Sequence, residues 1–324
     1  MEKRAIQKIR KAIELLDVDL SGLTVLTEVG SNEYAYSPVI ARMCGAEKVF
    51  AWTRDTRFGS ATSIINRSKE ILNHQGLDGV EFYMGNLNTE HLSKADIITN
   101  SGFLRPLNED KLKYAKPGAV IPLMYEKWEY RSSDVDAEYC IKNNIPLAGT
   151  WENHPDIMVF EHVGPLAVKM AMEAGYEVYG NHILVWSDDH FGELATKFFL
   201  KMGAKEVIHT INNDLLYERA AGLDFVYICD YSEERNFGSD SFFNADRLLE
   251  LNPALGLVHL FGNLETEYLK QKMNVYPDIT GKASTMTYTL TKTGLTPYIN
   301  LQVAGYKVAL SIIRGEAHPL VQLF

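Results

Sequence analysis

The chain has 324 residues, of which 46% are apolar and 23% are charged, and its formal net charge at pH 7 is −10. This length allows two domains that each bury a core of their own, and no uninterrupted apolar run is long enough to cross a bilayer. The acidic balance argues against nucleic-acid backbones and anionic membrane surfaces as main partners. A small-molecule substrate is therefore the expected partner.

The first eleven residues are basic but lack the apolar core and small-residue cleavage site of a secretory signal. Their periodicity predicts an amphipathic helix instead, and a cytoplasmic location is expected. The three cysteines, Cys44, Cys140 and Cys229, are too few and too scattered for a disulfide framework or a metal site. No other metal-ligand motif is present, so no metal is expected.

Helices and strands alternate along the chain, which predicts an α/β fold with parallel sheets. In the first half, helices are predicted at 4–16, 36–44 and 60–74, and strands at 23–26, 48–52, 80–83, 95–100 and 119–124. In the second half, helices are predicted at 135–144, 162–174, 193–202 and 301–313, and strands at 145–149, 183–186, 206–210, 225–229 and 257–260. Pro297 is expected to interrupt the chain before the last helix.

The stretch from Gly180 to Gly192 contains a buried strand, a short polar turn and a helix start, the arrangement in which α/β folds place a nucleotide phosphate. In the Gly-x-Gly-x-x-Gly spacing that ends at Gly192, Ser187 and Asp189 replace the first two glycines. Their side chains stand where the pyrophosphate would approach the backbone, and Asp188 and Asp189 add negative charge. The candidate cofactor-binding residues of this turn are Ser187, His190 and Gly192.

Three segments resemble motifs of the D-2-hydroxyacid (formate/glycerate) dehydrogenases. Residues 134–146 resemble the approach to that family's dinucleotide domain, 295–300 resemble its Leu-Thr-Pro-His-Ile turn, and 313–319 resemble its Arg-Gly-Glu-x-Pro exit. The resemblance implies two Rossmann-like, doubly wound parallel-sheet domains, with a cleft between them and a C-terminal helix that crosses back to the first. The implied boundaries are 1–133 with about 300–324, and 134–299. It also implies NAD(P) as cofactor and a homodimer.

The catalytic residues of that family do not carry over. Tyr298 stands where the family has its catalytic histidine, and a phenol is a poor acid–base group at neutral pH. Phe261 stands at the catalytic arginine, and Asp278 is the nearest stand-in for the supporting carboxylate. Thr210 and Asn212 follow the strand whose end carries the ribose-binding acid. The resemblance therefore implies the fold, and at most an atypical oxidoreductase.

The first half, residues 22–124, is similar in order to Rossmann-type S-adenosylmethionine methyltransferases. Glu28 and Gly30 match that family's acidic glycine turn, although Asn32 stands where it has its second glycine. Asp55 lies three residues past the second strand, and Asn100 ends the fourth. The resemblance implies that Glu28, Gly30, Asn32 and Asn100 bind S-adenosylmethionine or another nucleotide.

Polar residues follow the strands of the first half at their carboxyl ends, where an open α/β sheet binds its ligand. They are Glu28 and Asn32 after the first strand, Asn100, Ser101 and Arg105 after the fourth, and Glu126, Trp128, Glu129 and Arg131 after the fifth. Arg105 could hold a carboxylate or phosphate, and Glu126 could act as a general base or bind a hydroxyl or amine. The alternative is a surface ion-pair cluster of Arg105, Arg131 and the glutamates.

Three histidines are further candidates. His154 lies in the polar run 150–156 and could transfer protons, with Glu152 or Asp156 orienting it, or it could belong to a linker turn. His190 either binds an anion or caps the helix that it heads. His259 is either a site residue or a core histidine that is bonded to the backbone.

Three functions follow from these observations. The leading hypothesis is a small-molecule enzyme with a dehydrogenase-like fold but without the family's glycine motif and its arginine and histidine, acting as an atypical NAD(P)-linked oxidoreductase. The second is an S-adenosylmethionine- or nucleotide-dependent transferase that uses the first domain. The third is a ligand-binding protein without catalysis, although converging ionisable groups argue against it.

Overall fold

A computed structural model describes residues 2–239 and 241–324. The chain divides into two compact units, unit 1 with Met1–Val159 and Leu295–Phe324, and unit 2 with Phe160–Gly294. Each unit is built around a mainly parallel sheet, and helices alternate with its strands. The predicted α/β fold with two Rossmann-like sheets is confirmed.

The described residues form helices and strands that are numbered here in chain order. The helices are α1 Glu2–Leu16, α2 Ser37–Met43, α3 Ala61–His74, α4 Thr89–Leu92, α5 Glu109–Leu112, α6 Ala137–Lys142, α7 Val163–Glu173, α8 His190–Lys201, α9 Asn213–Arg219, α10 Ala245–Leu251, α11 Thr266–Lys270 and α12 Thr296–Arg314. The strands are β1 Thr24–Glu28, β2 Lys48–Thr53, β3 Val80–Met84, β4 Ile97–Ile98, β5 Ile121–Pro122, β6 Leu147–Thr150, β7 His182–Trp186, β8 Glu206–Thr210, β9 Phe225–Cys229, β10 Asn236–Phe237, β11 Gly256–Phe261, β12 Asn263–Leu264, β13 Val275–Tyr276 and β14 Val321–Leu323.

The sheet of unit 1 has the strand order β3-β2-β1-β4, with all pairs parallel. Single bridges, Ile97 to Val120 and Asn100 to Leu123, continue it to β5 and β6, and β14 pairs antiparallel with β6. The fourth and fifth strands are shorter than predicted because only two residues of each form a regular ladder. The carboxyl ends of β1, β4, β5 and β6 therefore lie next to one another along one edge.

The units divide at residues 159 and 160, later than the predicted boundary at 134. Strand β6 pairs parallel with β5 and antiparallel with β14, so these pairings hold residues 147–150 in the first unit. The sequence motif at 134–146 lies in unit 1, where residues 137–142 form α6.

Helix α12 returns to unit 1, as predicted, and packs against α1, α2, β5 and β6. It begins at Thr296, so Pro297 lies in its first turn and does not interrupt the chain before it. A proline is tolerated there because the first amides of a helix have no intrahelical acceptor.

The sheet of unit 2 has the strand order β8-β7-β9-β11-β13, again with all pairs parallel. Alternate residues of its strands enter different cores: Ile183 and Val185 of β7 belong to one, and Leu184 and Trp186 belong to the other. Because both faces are covered, the central strands read as continuous apolar runs. A second small sheet pairs β10 with β12.

Candidate functional site

Glu126 lies just past β5 at the carboxyl edge of the unit 1 sheet, and it is 7% exposed. Its Oε1 accepts hydrogen bonds from the backbone amides of Glu152 (3.0 Å) and Asn153 (3.3 Å). Its Oε2 accepts hydrogen bonds from Trp128 Nε1 (3.1 Å) and Gln322 Nε2 (3.3 Å). Four donors thus occupy both oxygens and fix this carboxylate as an acceptor.

Glu152 follows β6 on the neighbouring strand and is also 7% exposed. Burial raises the pKa of its carboxyl well above the ordinary 4.5, and the charges of Glu129 and Glu126 raise it further. The nearby Arg131 guanidinium acts in the opposite direction on this pKa. The environment therefore favours a protonated Glu152 beside the acceptor Glu126.

Arg105 is held at the same edge by contacts that use most of its guanidinium. Its Nε and Nη2 donate to the carbonyl oxygen of Asn100 (3.2 and 2.9 Å), and Nε also donates to Oδ1 of Asn100 (3.0 Å). Its Nη1 lies 3.1 Å from Asp134, which also pairs with Arg131 at 2.9 Å. Both guanidinium groups lie over the ring of Tyr125. Asp134 thus bridges the two arginines, and Arg105 acts as a brace between β4 and the loop after β5.

Two buried polar atoms near this brace lack a hydrogen bond of ordinary geometry, the Asn100 amide nitrogen and the Tyr125 hydroxyl. Asn100 is fully buried and Tyr125 is 3% exposed. Burial raises the pKa of the Tyr125 phenol. The charge of Arg105 and a hydrogen bond with the Asn100 side chain lower this pKa. The Asn100 and Tyr125 side chains therefore face each other at this edge of the sheet.

Glu28 ends β1 and is 5% exposed. Its Oε2 accepts the backbone amide of Phe103 at 2.8 Å. Burial raises the pKa of Glu28, while the Phe103 amide and the Arg105 charge oppose this shift. The carboxylate therefore closes the start of the 3-10 turn Gly102–Leu104.

The glycine turn after β1 is tightly packed. A Cβ placed on Gly30 would lie 2.6 Å from the Cβ of Tyr34, so this glycine is required by the approach of the turn Asn32–Tyr36. Asn32 has φ +54°, a left-handed conformation that asparagine tolerates better than most residues. These positions serve the local backbone, and a ligand role for them stays a prediction.

Tyr298 lies in the first turn of α12 and is 8% exposed. Its hydroxyl and that of Ser37 are 2.6 Å apart, and its ring packs edge-on against Tyr34. Burial raises the pKa of the Tyr298 phenol well above 10, and the charge of Glu28 adds to this shift. A phenol that is held neutral in this way acts as a hydrogen-bonding group.

His154 has the neighbour predicted for it. Its Nδ1 accepts the amide of Asp156 at 3.3 Å and lies 3.6 Å from the Asp156 carboxylate. The ring packs edge-on against Trp151, and its centroid is 6.3 Å from that of His318. A role for His154 in proton transfer stays a prediction.

In unit 2, Asp189 is the N-cap of α8. Its Oδ1 accepts hydrogen bonds from the amides of Phe191 (2.9 Å) and Gly192 (3.3 Å) and from the hydroxyl of Ser187 (2.8 Å). Helix α8 begins at His190, earlier than predicted, because this carboxylate satisfies the first amides. Burial raises the pKa of Asp189, and these hydrogen bonds oppose the shift.

The candidates His190 and His259 of unit 2, and Asp230 as well, lie within local hydrogen-bond networks. His190 Nδ1 is 3.0 Å from Glu193 of the same helix. Asp230, which follows β9, is fully buried and binds Arg235 through both oxygens (2.6 and 2.8 Å). Arg235 also lies 3.0 Å from Asp188. His259 is a core histidine whose Nε2 donates to the carbonyl of Pro277, and burial lowers its pKa to about 4.

The structure thus brings together Glu126, Arg105 and Asn100 of the predicted set, along the adjacent carboxyl ends of β4 and β5. Sequence reasoning gave Glu152 only the secondary role of orienting His154, although its place after β6 follows the same carboxyl-end rule. Asp230 was missed as well, and its place directly after β9 was the available signal.

Two absences concern the parts of the chain that the structure describes. Within residues 2–239 and 241–324, no helix is long and apolar enough to cross a membrane. Over the same ranges, no group of three or more histidine, cysteine, aspartate or glutamate side chains is arranged to hold a metal ion.

No protein-family model matches the sequence, and no curated protein matches it. Solved structures with a similar fold include a dipicolinate synthase subunit from Bacillus halodurans, with a TM-score of 0.55 and 14% identity over 93% of this chain and 100% of that chain. The pyruvate reductase of Chlamydomonas reinhardtii has a TM-score of 0.55 at 10% identity over 93% of this chain and 98% of that one. A putative D-3-phosphoglycerate dehydrogenase from Ralstonia solanacearum has a TM-score of 0.50 at 10% identity, over 93% and 96%.

At these identities the likeness is one of fold. The chain thus shares the two-domain α/β fold of these structures. The family resemblance drawn from the motifs at 134–146, 295–300 and 313–319 stays a prediction. The resemblance of the first half to methyltransferases stays a prediction.

Proposed function

We propose that the chain is an enzyme that transfers a proton to or from a small polar molecule at the carboxyl edge of the unit 1 sheet. The observation that carries this proposal is the buried carboxyl of Glu152, whose pKa is raised beside the fully hydrogen-bonded Glu126. Two carboxyl groups in different environments at one site are the usual basis of acid–base catalysis by paired acids.

The two glutamates have different roles in this proposal. Glu152 is the proton carrier, since burial and neighbouring negative charge favour its protonated form and Arg131 favours its ionised form. Glu126 is a positioning residue, because its oxygens already accept the amides of the segment that carries Glu152. Arg105 also positions, through its contacts with Asn100 and Asp134.

Two alternatives receive less support from the geometry. An NAD(P)-linked oxidoreductase requires a dinucleotide site, and the capped start of α8 does not fit a pyrophosphate, so no hydride transfer is part of the proposal. A transferase that uses S-adenosylmethionine would rely on Glu28, whose carboxylate is bonded to the Phe103 amide. Against a purely binding role, a buried carboxyl beside two others costs stability that a scaffold has no reason to retain.

The test is solvent deuterium incorporation. The purified protein is incubated in deuterated buffer with panels of hydroxy acids, oxo acids, amino acids and sugars, and the loss of carbon-bound proton signals is followed by NMR. We expect exchange in at least one substrate class, and we expect Glu152→Gln to reduce its rate at least about a hundredfold, the usual contribution of a general acid–base group.

Glu138→Gln is the matched control, because Glu138 is an exposed glutamate on α6. It should retain the wild-type exchange rate. Exchange that survives in Glu152→Gln would refute the assignment of Glu152. A compound that binds at this edge and undergoes no proton exchange would contradict the proposed reaction.

A further inference from the structure

We infer that the start of α8, where a dinucleotide-binding fold places the pyrophosphate, is closed by the chain's own Asp189 carboxylate, so that unit 2 does not accept NAD or NADP there. The inference is independent of the chemistry proposed for unit 1. It rests on the hydrogen bonds, packing and charges around this one turn.

The amides that would bind a phosphate are already used. Phosphates bind at helix N-termini because the first backbone amides have no intrahelical acceptor. Here Oδ1 of Asp189 receives the amides of Phe191 and Gly192. Ser187 holds that oxygen in place through its hydroxyl. A phosphate would have to displace a covalently tethered anion from the same donors.

The remaining glycine of the motif serves packing. A Cβ on Gly192 would lie 2.5 Å from Nε2 of His209 and 2.5 Å from the Cβ of Ser187, so this glycine lets α8 approach β7 and β8. In a dinucleotide-binding turn, the first two glycines of the motif shape the turn and admit the pyrophosphate. In this chain, Ser187 and Asp189 replace them. The sequence thus retains the glycine needed for packing and lacks the two needed for the ligand.

The charges of the turn also oppose a phosphate. Asp188 and Asp189 are adjacent, and Oδ2 of Asp189 is buried without a hydrogen bond. The nearby Arg235 does not compensate, since it is bonded to Asp230 and Asp188. Phosphate oxygens at this turn would meet an excess of negative charge.

The end of the next strand, β8, is also followed by a side chain that caps a helix. Asn212, which follows β8, caps α9 by accepting the amides of Asp214 (2.9 Å) and Leu215 (3.3 Å). This is the position at which a dinucleotide fold presents an acid to the ribose hydroxyls. The polar side chains that follow β7 and β8, Asp189 and Asn212, therefore cap the helices α8 and α9.

The test compares binding of NAD, NADP, their reduced forms and inorganic pyrophosphate by thermal shift and calorimetry. The full-length wild type should show no binding of the four dinucleotides and only weak binding of pyrophosphate. Asp189→Asn removes the charge but keeps an oxygen for the amides, and it should bind pyrophosphate about fivefold more tightly than the wild type, the effect of one unit charge at about 4 Å in water. The double variant Ser187→Gly, Asp189→Gly also releases the amides and should bind more tightly still.

Asp188→Asn is the matched control, since it removes the same charge one residue earlier and leaves the cap intact. It should gain less affinity for pyrophosphate than Asp189→Asn, because the Asp188 carboxylate is not bonded to the amides of Phe191 and Gly192. Wild-type binding of a dinucleotide that weakens in the Asp189 variants would overturn the inference. So would Asp189 variants that remain folded and bind pyrophosphate no better than Asp188→Asn.

Discussion

In unit 1, Glu152 lies at a strand end beside Glu126 and Glu129, and the burial of its carboxyl raises its pKa. In unit 2, Asp189 lies at an equivalent strand end, but two helix amides and a serine hydroxyl surround one of its oxygens. Both side chains occupy the edge where parallel sheets place their ligands. The difference lies in their partners. Asp189 accepts hydrogen bonds from the first amides of α8, while the negative charges of Glu126 and Glu129 disfavour the ionised form of Glu152. The same position in a fold therefore supports local structure in unit 2, and in unit 1 it is where we propose the chemistry.

The largest effect is expected at Asp230, and it tests whether this acidic residue after β9 has a structural role. Asp230→Ala leaves Arg235 without its main partner and removes the acceptor of Trp186 Nε1. Because Asp230 is fully buried, we expect the free energy of unfolding to fall by about 3–5 kcal/mol, measured by urea denaturation. The exposed Glu234→Ala serves as control and should change it by less than about 0.5 kcal/mol. Equal losses of unfolding free energy in the two variants would contradict a structural role for Asp230.

The second prediction concerns Glu152 and pH. Its folded-state pKa lies above the ordinary 4.5, so the unfolded chain releases this proton first as the pH rises, and the folded state loses stability between 4.5 and the raised value. Glu152→Gln has no proton to lose, so it should be more stable than the wild type at neutral pH, by about 1.4 kcal/mol for each unit of the pKa shift. The two proteins should converge toward pH 4.5 in urea denaturation at a series of pH values. A stability difference that does not depend on pH would contradict the raised pKa.

The third prediction measures the cap itself. Asp189→Ala leaves the amides of Phe191 and Gly192 without their acceptor, and we expect a loss of about 1 kcal/mol in the free energy of unfolding. Asp189→Asn should lose less, since its amide oxygen can still cap α8. A stabilised alanine variant would mean that the repulsion between Asp188 and Asp189 outweighs the cap.

The smallest effect on the free energy of unfolding is expected at Asp188, which precedes the capping residue Asp189. Asp188 is exposed and pairs with Arg235 at the surface, so Asp188→Asn should change the free energy of unfolding by at most about 0.5 kcal/mol. Adjacent aspartates with unequal effects would confirm that the cap, and not the charge alone, distinguishes this turn. The measurement is the same urea denaturation, carried out at neutral pH.

Much of the fold could be predicted from the sequence, because strands that are covered on both faces are continuous apolar runs and helices show their own period. The ranges for β8 and β9 agree with the structure at both ends. The last helix was predicted too short, since Pro297 is a helix breaker in an interior and is tolerated in a first turn. The boundary near 134 differs from the division at 159 because β14, more than 150 residues further along the chain, pairs with β6.

The sequence by itself determined the two alternating α/β halves, the polar residues at the carboxyl ends of the strands, and the side chains of Ser187 and Asp189 where glycines are needed. These features are local, because a strand end or a turn is specified by a few consecutive residues. Only the tertiary structure decided that Glu152 is buried beside Glu126 and that Gln322, 196 positions from Glu126, helps to hold it. Protonation depends on burial and on neighbours that are distant in sequence, so the chemistry proposed for this site could be argued only from the folded chain.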